Sequence, residues 1–190
     1  MASLPSLQYE LLNGRPVYFR GYRTVLDGHQ PASAICYAGA LQTILASLIG
    51  TSIWQHRHQA NLLVALNNPE LAISSTDRLV CDLFIFDKSS LQRLTNGPFT
   101  TRPRVAIQID VKIDLTDFDG LPLNYIAEKT QRLFDFGVER VLWVLSKPRR
   151  VFVAVPNQDW IFTDWGNDIP VMDGCVLNVK RLLDEEEIAY

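Results

Sequence analysis

Cysteine is scarce: Cys36, Cys81 and Cys175 lie far apart in a chain of 190 residues, and none belongs to a CxxC pair. An odd, scattered set excludes a disulfide framework and a cysteine-based zinc site, and predicts inert core thiols in a reducing, cytoplasmic setting. Histidine is as scarce, and its one cluster, His56-Arg57-His58, has no acidic or cysteine partner at metal-ligand spacing. On a strand those two imidazoles share a face, which reads as a solvent-facing or subunit-facing patch. No apolar run is long enough to span a bilayer, because Gln42 and Thr43 interrupt the most apolar stretch, Ala38–Ile49; no membrane partner is expected. The opening MASLPSLQYELL lacks a basic region followed by an apolar one, so no signal peptide is expected. Nor is there an excess of positive charge. The formal net charge of −3 gives no global drive toward nucleic acid, although a local basic groove would suffice. With no internal repeat, linker or low-complexity segment, residues 1–190 are expected to form a single domain.

What is present is a soluble-protein balance, 47% hydrophobic and 21% charged, and two strands that carry acids. In Arg104–Asp114, RVAIQIDVKID, Val105, Ile107, Ile109, Val111 and Ile113 alternate with Gln108, Asp110 and Lys112. A side-chain period of two makes one face aliphatic and the other polar. Asp110 and Lys112 then project side by side, about 6–7 Å apart at the backbone. Taken alone, this is an amphipathic strand with one wet face. The second strand, Leu79–Phe86, is apolar on both faces except for Asp82. Such a run belongs in a sheet covered on both sides, where a lone carboxylate needs an arginine, a backbone amide or a metal ion. If the strands are neighbours, Asp82 and Asp110 converge and a cation is needed between them. Mg²⁺ suits two carboxylates, with Mn²⁺ as an alternative, and Lys112 then stands beside the metal.

Along the chain, Tyr9–Leu12 and Pro16–Phe19 flank Asn13-Gly14 and read as a β-hairpin. Glu10 in its first strand reads as a surface carboxylate or a further acid near the metal. A helix is expected over Pro31–Gly50, capped by Gly50, with Gln42 on its flank or pointing to the site. The stretch Thr51–Asn67 is hard to read. Asp87–Pro103, with Lys88, Arg93 and Arg102, reads as a surface loop or one lying over a substrate. Pro122–Phe136 is an amphipathic helix stopped by Gly137, with Lys129 either exposed or leaning toward the carboxylates. Val138–Leu145, Val151–Val155 and Gln158–Asp164 are further strands, and Val176–Leu183 is the last element. The order implies an α/β fold with helices on the faces of a central mixed sheet.

The stretches Tyr9–Arg23, Cys81–Asp87, Ala106–Asp114 and Glu128–Leu145 together resemble the restriction-endonuclease-like family of the PD-(D/E)XK superfamily that is greatly expanded in cyanobacteria. The resemblance implies that fold, and a site in which Asp82 and Asp110 are the metal-binding acids and Lys112 is the motif lysine. Cys81 stands where a proline usually precedes the first acid, and Asp110 where a glutamate is usual. Glu10 and Lys129 match the family's N-terminal and helix motifs and become further catalytic candidates. The implied activity is Mg²⁺-dependent hydrolysis of DNA phosphodiesters, with a backbone carbonyl from Val111 completing the metal site, and a homodimer where both strands are cut. The alternative is a non-catalytic nucleic-acid- or protein-binding module that retains a nuclease fold. A third reading makes Asp82 and Lys112 a buried structural ion pair.

Overall fold

The computed structural model describes residues 4–36, 38–91, 94–172 and 174–190, with the backbone alone described at 5 and 57–60. The expected hairpin forms as β1 (Gln8–Leu12) and β2 (Arg15–Tyr18). Asn13 and Gly14 both take positive φ, 51° and 74°, the backbone of the primed turn that matches strand twist. β4 (Glu70–Ala72) and β5 (Arg78–Val80) complete a four-stranded sheet in the order β2-β1-β5-β4.

The Asp82 segment is not one strand. β5 ends at Val80, and β6 (Leu83–Asp87) begins a second sheet, so Asp82 sits at the step between the two. That second sheet has six strands: β3 (Leu62–Leu66), β6, β7 (Val105–Ile109), β8 (Arg140–Leu145), β9 (Arg150–Ala154) and β10 (Ile161–Asp164). Its order is β10-β9-β8-β7-β6-β3. Only β7 and β8 are parallel, joined as parallel neighbours must be by a crossover, here α3 (Pro122–Asp135). The sheet is therefore mixed, as expected.

Each face of this sheet has its own core. Val105, Ile107 and Ile109 pack with Leu45, Ile49 and Ile53 of α2 (Ala40–Ala60). On the same side lie β11 (Ile169–Met172), β12 (Cys175–Leu177) and α4 (Val179–Glu185). The opposite face packs Phe84, Phe86, Ala106 and Trp143 against α3 and the hairpin sheet. α3 forms as the periodicity requires: Tyr125, Ile126, Lys129, Thr130 and Leu133 make its buried stripe, Pro122 opens it and Gly137 follows at φ 94°. Full burial of each large aliphatic in β7 contributes about 1.5–3 kcal/mol.

Several expectations change. β7 has no wet face: all five residues are buried and the strand stops at Ile109. The helix does not end at Gly50; α2 starts at Ala40 and runs to Ala60. Gly50 lies where the helix approaches β3 closely: a Cβ there would lie 2.7 Å from the Leu66 side chain, which would have to shift. His56 consequently lies on a helix, its Nδ1 against the Ser52 carbonyl at 2.8 Å, while the side chains of Arg57 and His58 lie outside the described residues. Cys36 is exposed rather than a core thiol. The short α1 (Tyr22–Leu26) follows the hairpin.

Candidate functional site

Four charged and two amide side chains meet where the two sheets abut. Asp82 leads into β6, and its carboxylate is nearly closed off at 5% exposure. Its Oδ1 accepts from Lys112 Nζ at 2.7 Å and Gln42 Nε2 at 2.9 Å. Its Oδ2 accepts from Gln108 Nε2 and the Ile109 amide, both at 2.7 Å. A carboxylate offers about four acceptor positions, so Asp82 is saturated. Gln42 of α2 thus does point to the site.

Behind Asp82 the chain of contacts continues inward. Gln108 Oε1 accepts from Lys129 Nζ at 3.1 Å and faces the Tyr9 hydroxyl at 3.4 Å. Lys129 and Glu10 are both fully buried and 2.8 Å apart. Glu10 also accepts from the Tyr125 hydroxyl at 2.6 Å and the Val80 amide at 3.0 Å. Lys129 further donates to the Val80 carbonyl at 2.6 Å, and the rings of Tyr9, Tyr125 and Trp143 surround its ammonium at 5.3, 5.4 and 5.7 Å. An aromatic box stabilises a cation through the ring quadrupoles. Neither Glu10 nor Lys129 is a surface residue. Burial, then the charge of Glu10, pushes the hydroxyls of Tyr9 and Tyr125 well above the usual tyrosine range. Burial raises the Cys81 thiol to about 12, which leaves it unreactive.

Asp110 is not in this chain. Its backbone is left-handed, φ 57°, a conformation that aspartate tolerates better than most residues. Its Oδ1 accepts from the Ser146 amide at 2.7 Å and its Oδ2 from the Ser146 hydroxyl at 2.6 Å. The turn at Asp110 breaks the alternation, so Lys112 reaches Asp82 while Asp110 is tied to the end of β8.

The metal expected from the sequence can be tested against these donors. Asp82 is saturated, Asp110 is held by Ser146, and the Val111 carbonyl accepts from Arg20 at 2.7 Å. Among the described residues no group of three or more His, Cys, Asp and Glu side chains gathers as a metal cage. As arranged, the residues do not fit Mg²⁺.

The site opens to solvent through two cavities. One, of about 210 Å³, is lined by Tyr9, Phe19, Ile35 and Lys112 among others. The other, of about 230 Å³, is lined by Gln42, Asn68 and Asp82 among others. Asn68, common to both, accepts from Lys112 Nζ at 3.1 Å. Beside Phe19 runs Tyr18-Phe19-Arg20-Gly21-Tyr22-Arg23. The rings of Tyr18 and Tyr22 stack at 4.6 Å, and Arg23 lies 5.0 Å from the Tyr22 ring. Arg20 and Arg23 are exposed, and the Arg20 amide donates to the Lys112 carbonyl at 2.8 Å, which ties the strip to the cavity. Of the loop over Asp87–Pro103, Phe99 stacks on Phe86 and bonds to the β4 backbone, and Asn96–Phe99 border a cavity with Leu66 and Pro69, while its arginine end lies elsewhere. Arg104 pairs with Glu139 and Arg102 lies against Gly137, at the start of β7, about 17 Å of strand away from Asp110. Gln92 and Arg93 lie outside the described residues.

The fold defined here is a mixed-sheet α/β fold with a hairpin sheet packed over one face. No family model matches the chain, and no curated protein matches it in sequence. Among solved structures it is similar to a protein titled a putative nuclease belonging to DUF820 from Anabaena variabilis. The TM-score is 0.69, the identity 14%, and the match covers 97% of this chain and 93% of that one. The likeness establishes a shared fold over nearly the whole chain. Among the described residues no helix is long and apolar enough to cross a membrane.

Proposed function

We propose that this chain binds nucleic acid at the cleft beside Lys112, on a fold shared with a protein described as a putative nuclease, but without the ligand set for metal-dependent cleavage. The observation that carries this reading is the Tyr18–Arg23 strip, two exposed arginines interleaved with partly exposed aromatic rings, whose Phe19 lines a cavity together with Lys112. Arginines supply phosphate contacts and rings supply stacking platforms for unpaired bases, so a strip of this kind functions despite a net charge of −3. The description of the structural relative as a putative nuclease supports a nucleic acid, rather than another polymer, as the occupant.

The experiment is a salt titration of binding to labelled single-stranded and duplex DNA and to RNA. The wild type is compared with the double variant Arg20→Ala/Arg23→Ala. The variant should bind about tenfold more weakly, with the logarithmic salt slope reduced by about 0.7 for each lost contact to a single strand. Equal affinity and slope in the two proteins would refute the reading.

A second reading, Mg²⁺- or Mn²⁺-dependent DNA cleavage through Asp82, Asp110 and Lys112, is favoured by the Lys112–Asp82 pair at the cavity edge and by the fold. It requires Asp110 to leave Ser146. Cleavage that depends on metal and is lost in both Asp82→Ala and Asp110→Ala would replace the first reading with this one.

A further inference from the structure

The residue that faces Asp82 across the sheet is an amide. β6 and β7 pair antiparallel with Leu83 opposite Ile107 and Phe84 opposite Ala106. One step further along the same register sets Gln108 opposite Asp82, and the 2.7 Å hydrogen bond between their side chains confirms the pairing. Opposed residues of an antiparallel pair project from the same face. A second acid able to share a cation with Asp82 therefore belongs at 108, not at 110, where the left-handed turn sends the carboxylate to Ser146.

The surroundings fix the amide's polarity. Its nitrogen donates to Asp82 and its oxygen accepts from Lys129, with the Tyr9 hydroxyl alongside at 3.4 Å. The amide thus does by hydrogen bonding what a cation would do between two carboxylates. It satisfies Asp82 without adding charge to a cluster whose two carboxylates, Glu10 and Asp82, are already matched by Lys129 and Lys112.

We infer that Gln108 occupies the second-acid position of this site, that it keeps the wild-type site free of divalent metal, and that Gln108→Glu creates a metal site with Asp82. A glutamate there sets two carboxylates about 2.7 Å apart at their nearest oxygens, a separation stable only with a proton or a cation shared between them. Asp82 also lines the cavity of about 230 Å³, which gives room for the waters that Mg²⁺ and Mn²⁺ retain. Release of Lys112 from Asp82 toward Asn68, which it already contacts, frees the first acid.

The test needs no nucleic acid, so its failure is distinguishable from failure of the proposed binding. Mn²⁺ uptake is followed by calorimetry and by loss of the free-ion paramagnetic resonance signal, in the wild type, Gln108→Glu and Gln108→Glu/Asp82→Asn. The wild type should take up none at millimolar Mn²⁺. Gln108→Glu should bind about one ion per chain, at least tenfold more tightly than the other two, with a melting temperature that climbs with Mn²⁺. Should Gln108→Glu fold only when Mn²⁺ is present, the same conclusion holds. Uptake by the wild type that disappears in Asp110→Asn would overturn the inference. So would a Gln108→Glu protein that ignores Mn²⁺ or stays unfolded in it.

Discussion

Lys129→Met is the most demanding test of the buried cluster. The ammonium and the Glu10 carboxylate are both without exposure and 2.8 Å apart. Methionine fills much of the same volume but removes the charge and three donated hydrogen bonds, to the Val80 carbonyl, Gln108 and Tyr125. Glu10 keeps the Tyr125 hydroxyl and the Val80 amide, yet remains a carboxylate in an apolar surround with no cation. Breaking a buried pair from one side costs about 3–5 kcal/mol. Against a total stability of about 5–15 kcal/mol that is a large fraction. At about 2–4 °C per kcal/mol for a domain of this size it lowers the melting temperature by about 6–20 °C.

The assay is equilibrium urea unfolding followed by circular dichroism, with the slope checked for constancy. Removing both charges, in Glu10→Gln/Lys129→Met, leaves no orphaned ion and should cost at least about 1 kcal/mol less than the sum of the single variants. A loss below about 1 kcal/mol for Lys129→Met, or strict additivity of the pair, would show that Lys129 is not held as an ion by Glu10.

Three further outcomes follow from the surroundings of Asp77 and Asp110. Asp77 accepts from Arg132 at 2.9 Å, the Asn13 amide at 2.6 Å and the hydroxyls of Ser74 and Thr76. Burial alone would raise its carboxyl, but these bonds more than offset it and hold it below the usual range. A depressed folded value contributes stability that is present above the unfolded value of about 3.9 and is lost as pH falls through the folded one. Arg132→Ala should therefore cost about 1–3 kcal/mol at pH 7, with the gap to wild type closing in urea melts below about pH 4; a gap constant down to acid would be inconsistent with this. Ser146→Ala leaves Asp110 its backbone donor and removes the hydroxyl at 2.6 Å, so a loss of about 1 kcal/mol is expected in the same melts. Asp110→Asn should be tolerated at φ 57° and leave nucleic-acid affinity unchanged; a selective loss of binding would return Asp110 to the functional surface.

Much of the architecture was readable because its elements obey one period at a time. Pro122, the stripe through Ile126 and Leu133, and Gly137 defined α3 nearly to the residue, and Asn13-Gly14 defined the hairpin. Gly50 misled because a helix stop and a close helix–strand approach use the same residue, and only the position of Leu66 distinguishes them. The acidic strand misled for a related reason. Alternation from Val105 to Ile113 continues in the sequence across a backbone that turns at Asp110, so Ile109 and Ile113 end in different cores. Residues 81 and 82 look like the middle of a strand because both flanks are apolar, while the chain there is passing from one sheet to another. For Glu10 and Lys129 the sequence leaves a surface and a site alternative open, and their pairing is out of reach because they lie 119 positions apart in sequence, beyond any local pattern.

Gln108 carried a signal that went unused. A long amide at a position predicted to be wet needs no explanation, but in a strand buried on both sides it must have partners at each end. Once β7 is known to be covered, the register leaves Asp82 as the partner for its nitrogen, and an acceptor's oxygen next to an aromatic box leaves Lys129 for the other end. The amide therefore joins two ion pairs that would otherwise be independent. A substitution at Glu10 or Lys129 should reach Asp82 through Gln108, whereas a substitution at Asp110 should not, because its carboxylate is held by Ser146 at the end of β8. Stability couplings between Lys129 and Asp82, measured in double-mutant cycles against a Lys129 and Asp110 control, would separate the two arrangements. Coupling above about 0.5 kcal/mol is expected for the first pair and none beyond error for the second.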